Sequence, residues 1–181
     1  DKIVTAVGFG LAVFLVIAAG LLNWGATFAA DAVGSQLEAQ AITLPAETGN
    51  KKEPADVTSF FKENGERIMT TGKQAQMYAD HYLGFHLSAM PAYAAASGAN
   101  RAAAAALAAN PNDPTLQADA AAKAGIVETV FKGTMLRGTL LTAYAFGTLG
   151  SIAAIAALVS LAGAGVMLLL SILGLLHIRH S

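Results

Sequence analysis

The sequence predicts an all-α membrane protein: two transmembrane helices with a helical extracytoplasmic insert between them. Three observations predict it. Gly138 to Leu176 runs thirty-nine residues without Lys, Arg, Asp or Glu, and Ile3 to Ala30 is a second uncharged run. The charge lies between them: nine of the eleven basic and eleven of the twelve acidic residues fall between Asp31 and Arg137. Backbone amides in hydrocarbon must be satisfied within the segment, so each run spans as a helix. A crossing needs ~20 apolar residues at ~1.5 Å rise each, and both runs exceed that. The expected organisation is a first transmembrane helix over residues 1–30, an insert over 31–137, a second transmembrane helix with its outer extension over 138–176, and a cytoplasmic tail over 177–181. The bilayer portion of the second helix is placed at about Leu149 to Leu176.

The composition is 55% apolar and 13% charged, where an ordinary soluble domain is about a quarter charged. A net charge of −1 leaves no electrostatic footprint for nucleic acid. The absence of cysteine removes disulfides, thiolate zinc sites, iron–sulfur ligation, a catalytic thiol and c-type haem attachment. The chain begins with Asp1 rather than Met, so the true N-terminus is expected upstream or trimmed.

Lys2 followed by an apolar stretch and small residues near Ala30 suggests a secretory leader, but the run is too long for an apolar region of ~7–15 residues, and a transmembrane helix fits better. Trp24 suits an interfacial anchor, and equally a packing role. Gly8 and Ala12 have small-xxx-small spacing, repeated in the second span by Gly147 with Ser151 and by Gly150 with Ala154. Such surfaces let helix backbones approach where lipid supplies no hydrophobic drive, so these six positions are expected to form membrane-helix packing faces for a partner subunit. Lys2 and Arg179, with His177 and His180, flank the membrane on one side; short basic tails favour the cytoplasm, which places the insert outside.

Within the insert, Asp31 to Ala41 prolongs the first span, and Ile42 to Pro54 reads as a loop. Asp56 is placed to cap a short helix carrying Phe60 and Phe61 and ended by Asn64-Gly65. Glu66 to Met90 is expected to be a helix, with Tyr78, Tyr82, Phe85 and Ala89 on one face and Lys73, Gln76 and Asp80 solvated. Ala92 to Ala109 is expected to break at Ser97-Gly98, with Asn100 capping a helix from Arg101 to Asn110. Pro111 to Pro114 is a turn. A helical pattern resumes at Thr115 and feeds the second span, with Gly133 or Gly138 as sites of bending. Phe60, Phe61, Tyr78, Tyr82 and Phe85 are the candidate partner contacts, since aromatics dominate interface energetics; the insert's own core is the competing use for them.

No catalytic, cofactor-binding or metal residue is predicted. Asp80, His81 and His86 are the one cluster of the right types. His81 and His86 are five apart and point about 140° away from each other on a regular helix, so one ion cannot take both. Tyr82 and His86 are spaced to hydrogen-bond. Neither span holds a charge, which disfavours a pump or transporter acting alone. Lys132-Gly133-Thr134 lacks the upstream glycine of a phosphate-binding loop.

Three groups of stretches carry a family resemblance: Ser35-Gln36-Leu37 with Ala39-Gln40 and Ile42-Thr43-Leu44-Pro45; Tyr78-Ala79-Asp80-His81 with His86-Leu87; and Val130-Phe131-Lys132-Gly133 with Leu136-Arg137-Gly138 and Ala143-Tyr144-Ala145-Phe146. Together they resemble an actinobacterial family of two-span membrane proteins often mislabelled aromatic-ring-opening dioxygenase LigA, over almost the whole chain. A non-haem iron site needs clustered His and carboxylate ligands, which these residues do not supply. By architecture, such proteins look similar to accessory subunits of the actinobacterial respiratory supercomplex, which joins cytochrome bcc to an aa3-type oxidase. The resemblance implies a non-catalytic subunit without cofactors, packed on larger membrane subunits. The alternative is a free-standing membrane sensor or envelope protein with a ligand-binding insert.

Overall fold

The computed structural model describes residues 2–180. The side chains of Arg179 and His180, on which the expected orientation partly rests, lie outside the described residues, as do Asp1 and Ser181. Helix α1 spans Lys2–Gln40, α2 Ala55–Asn64, α3 Gly72–Met77, α4 Gly84–Ser88, α5 Tyr93–Ala109 and α6 Pro114–His180. A π-helical segment, Tyr78–Leu83, joins α3 to α4. The described residues contain no strand, only an isolated antiparallel bridge between Thr43 and Ile68. The protein is all-α, with two helices long and apolar enough to cross a membrane and a helical segment between them. Contacts divide it into two units, Asp1–Gln36 with Ala145–Ser181, and Leu37–Tyr144.

The first unit is an antiparallel helix pair. On α1 the buried positions Thr5, Ala12, Ala19, Ala26 and Val33 recur every seventh residue; on α6 Gly150, Ala157, Ala164 and Ser171 do the same. Seven-residue spacing keeps two helices in continuous contact when they wind about each other. Nearly every residue of this seam is small. A Cβ on Gly150 would meet Ala29 Cβ at 3.0 Å, one on Gly163 would meet Leu15 Cδ1 at 3.4 Å, and one on Gly174 would meet Thr5 Oγ1 at 2.7 Å. Twenty-four residues separate Thr5 from Ala29, and twenty-four separate Gly150 from Gly174, so the register holds from end to end.

The bulky side chains face the other way. Phe14, Ile17 and Phe28 of α1 and Leu158, Val166 and Leu169 of α6 are all more than half exposed. Only 22% of the most apolar stretch of α1 and 11% of that of α6 is buried, whereas a soluble core helix would be mostly covered. An apolar exterior around a small-residue seam is how helices pack when lipid is the solvent. Trp24, 69% exposed, stacks on Phe28 at 5.9 Å.

In the second unit, α1 ends where Ala41 turns into the left-handed region at φ 50°. The chain then pairs briefly with residues 66–69: Leu44 N–H donates to Arg67 O, Glu66 N–H to Leu44 O, and Met69 N–H to Ile42 O, each at 2.9 Å. Leu37, Leu44, Phe61 and Met69 form the fully buried centre around this pairing.

The pairing corrects the expected helix start at Glu66. Residues 66–69 are committed to it, and helix begins at Gly72 under a capping box, with Thr71 accepting from Gln74 N–H at 3.2 Å and the Gln74 side chain accepting from Thr71 N–H at 3.1 Å. Pro54, not Asp56, occupies the N-cap of α2; Asp56 lies in the first turn, where its charge meets the helix dipole. Helix α2 does end at Asn64. Gly65 follows because a Cβ there would reach Ala46 Cα at 2.6 Å.

Helix α5 passes unbroken through Ser97-Gly98, and Asn100 sits inside it rather than at a cap. Arg101 donates to Ser97 Oγ at 3.0 Å across that turn, and the alanines around it favour helix. The turn after α5 ends at Asp113, whose carboxylate accepts from Thr115 and Leu116 N–H at 2.8 and 3.3 Å, with Pro114 at the first helical position. Helix α6 continues without interruption through Gly133 and Gly138. A Cβ on Gly133 would meet Leu87 Cδ2 at 2.7 Å, so this glycine marks where α4 comes against α6.

Candidate functional site

The π-helical segment is the local irregularity of the insert, and its polar side chains find partners far away in sequence. A π turn bonds i to i+5 and often marks a functional position. Here Gly84 N–H reaches Ala79 O. The same carbonyl accepts from Arg137 Nε at 3.0 Å, while Arg137 Nη2 donates to Asp80 Oδ1 at 2.9 Å. Helix α6 thus holds the π segment by one guanidinium. Asp80 is therefore not the solvated position that a regular helix would make it.

One residue on, His81 Nδ1–H donates to Glu53 Oε2 at 3.0 Å, and Asn50 Nδ2 donates to Glu53 Oε1 at 3.2 Å. The Glu53 side chain is 8% exposed. Both carboxylate oxygens are thus satisfied, and the loop before α2 is tied to the π segment. His86 Nδ1–H donates to Tyr82 O at 2.7 Å. A carbonyl or carboxylate only accepts, so Nδ1 carries the proton in both imidazoles. The two histidines have separate partners, and among the described residues no group of three His, Cys, Asp or Glu converges.

The candidate contact residues divide. Phe61 is fully buried in the insert core, with Phe60 half-buried and edge-on to it at 5.9 Å. Tyr78, Tyr82 and His86 form a row, with ring centroids 4.9 and 4.4 Å apart. Burial, and then the neighbouring Tyr82 phenol, hold Tyr78 above the ordinary tyrosine value. Phe85 is 39% exposed, and Ala89 lies beyond the end of α4. Of the small membrane positions, Gly8, Ala12 and Gly150 are buried on the seam, Gly147 and Ala154 are half-buried, and Ser151 is exposed.

A cleft of about 600 Å³ opens beside the Arg137–Asp80 pair. Thr134, Arg137, Gly138 and Leu141 of α6 line one side, and Asp80, Gly84, Leu87 and Ser88 the other. Sequence reading missed Arg137, Glu53 and this cleft. The available signal was Arg137 itself, the last charge before thirty-nine uncharged residues. A cation at such an edge needs a partner, but nothing local names Asp80, fifty-seven residues away. In comparisons with protein-family models, curated proteins and solved structures, nothing matches this chain.

Proposed function

We propose that the chain is a non-catalytic accessory or stabilising subunit of a membrane respiratory complex, of the kind in which actinobacterial cytochrome bcc is joined to an aa3-type oxidase. The insert lies on the extracytoplasmic side and rests on larger subunits. The supporting observation is how the hairpin uses its surfaces. Gly8, Ala12, Ala19, Gly150, Ala157 and Ala164 are taken up by its own seam, and its bulky apolar side chains are turned outward. An apolar groove of about 520 Å³ lies between Val13, Val16 and Ile17 of α1 and Leu161, Gly165 and Leu168 of α6. A Cβ on Gly165 would meet nothing within 4 Å, which leaves room for a neighbouring helix. Extraction in mild detergent at native expression tests the reading. Cytochrome bcc and oxidase subunits are expected to accompany the chain in fixed ratio, and Gly165→Phe to release them. Recovery of the chain alone, with the respiratory complex intact elsewhere, contradicts it.

The cleft at Arg137 favours a second reading, a free-standing membrane sensor or envelope protein with a ligand-binding insert. It predicts a stable monomer or homodimer after the same extraction.

A further inference from the structure

We infer that the cleft beside Arg137 binds a zwitterion: an oxyacid anion and an ammonium group a few bonds apart, on a partly apolar body. Arg137 uses Nε on Ala79 O and one Nη2 proton on Asp80, and its Nη1 group makes no hydrogen bond among the described residues. Asp80 accepts there through Oδ1 and leaves Oδ2 open. Both side chains are partly exposed, at 42% and 32%. The cleft therefore carries an unused pair of guanidinium protons beside an unused carboxylate oxygen.

A fork of guanidinium protons matches the two oxygens of a carboxylate or phosphate. A lone anion would also meet the repulsion of Asp80, and a lone cation that of Arg137. A molecule carrying both charges satisfies both groups at once. The hydroxyls of Ser88 and Thr134 add polar contacts, and Leu87 and Leu141 offer an apolar wall. The inference rests on the second reading, a ligand-binding insert, and its test reads binding to the purified chain rather than co-purification, so the two fail separately.

Two sources offer this chemistry: a free apolar amino acid, or the headgroup of phosphatidylethanolamine. The full chain, stripped of lipid in detergent, is titrated with leucine by calorimetry and with phosphatidylethanolamine by native mass spectrometry. Phosphatidylglycerol and acetate serve as anions without an ammonium group. One zwitterion is expected to bind once per chain, tighter than about 1 mM. Leucine binding identifies a soluble source, and phosphatidylethanolamine binding a membrane one. Gly138→Leu fills the cleft from a position whose Cβ meets nothing within 4 Å, so the fold is retained, as far-UV dichroism verifies. That variant and Arg137→Lys are each expected to weaken binding about tenfold or more. Failure of both zwitterions to bind, equal binding of phosphatidylglycerol or acetate, or undiminished binding by folded Gly138→Leu overturns the inference.

Discussion

Gly8 of α1 faces Ser171 of α6 so closely that a side-chain carbon at position 8 would overlap the serine hydroxyl. One turn further on, Thr5 bears on Gly174 in the same way, so each helix gives a glycine to the other's hydroxyl residue. Gly10, two residues from Gly8, has nothing within 4 Å of its would-be Cβ. Gly8→Leu is expected to destabilise the helix pair by roughly 1–3 kcal/mol, the usual cost of overpacking. Gly10→Leu should stay within about 0.5 kcal/mol of the parent. Denaturant titration of the reconstituted protein measures both, and equal effects would contradict the seam.

Glu53 links the loop before α2 to the π segment through His81. His81→Ala leaves an almost buried carboxylate with Asn50 as its remaining hydrogen-bond donor among the described residues. The expected loss is about 1–3 kcal/mol in unfolding of the insert. Removing Glu53 as well should restore part of it, because the double variant no longer buries an unpaired charge. A double variant whose loss equals the sum of the single ones would mean the two side chains do not act together.

Tyr78 titrates late. Burial first, then Tyr82, disfavours its phenolate, so its folded value lies above the ordinary 10.0. The raised value means the folded state holds the proton more tightly than the unfolded one. Its stabilising contribution is whole below the unfolded tyrosine value and fades as pH climbs through the folded value. Ultraviolet titration of tyrosinate should show a late phase that Tyr78→Phe abolishes. Persistence of that phase in the variant would assign it elsewhere.

The membrane helices were legible because a long uncharged run has few structural solutions, and the turn at Pro111 to Pro114 because its residues punctuate strongly. Which faces of α1 and α6 meet was only half legible. Lipid-facing and seam-facing positions are both apolar, so the pattern that separates them is size rather than polarity. Gly8, Ala12 and Gly150 follow the small-residue rule into the seam, while Ser151, one residue out of its seven-residue frame, faces outward. In the insert, the π turn carries no periodic signature, and Asp80 within it pairs with Arg137, fifty-seven residues away. The capping box at Thr71 and Gln74 was present in the sequence, yet the pairing of residues 42–44 with 66–69 that makes it the helix start is non-local.

Arg137 secures the π segment through Ala79 O and Asp80. Arg137→Ala is expected to speed amide exchange across residues 79–84 about tenfold or more, since a charged hydrogen bond and an ion pair are lost together. Exchange elsewhere in the insert, at Phe61 for example, should move less. Uniform acceleration across the insert would make Arg137 a general stabiliser rather than a clamp on this turn.

The central proposal is that α1 and α6, both long and apolar enough to cross a membrane, span the bilayer as a pair with the insert on its outer side. The chain has no cysteine, so single cysteines report without background. Ser59→Cys in α2 and Leu158→Cys on the outward face of α6 are exposed, in intact cells, to a maleimide that cannot cross membranes. Ser59→Cys is expected to react at once, and Leu158→Cys only after detergent. Labelling of Leu158→Cys in intact cells at the rate of Ser59→Cys would contradict the account.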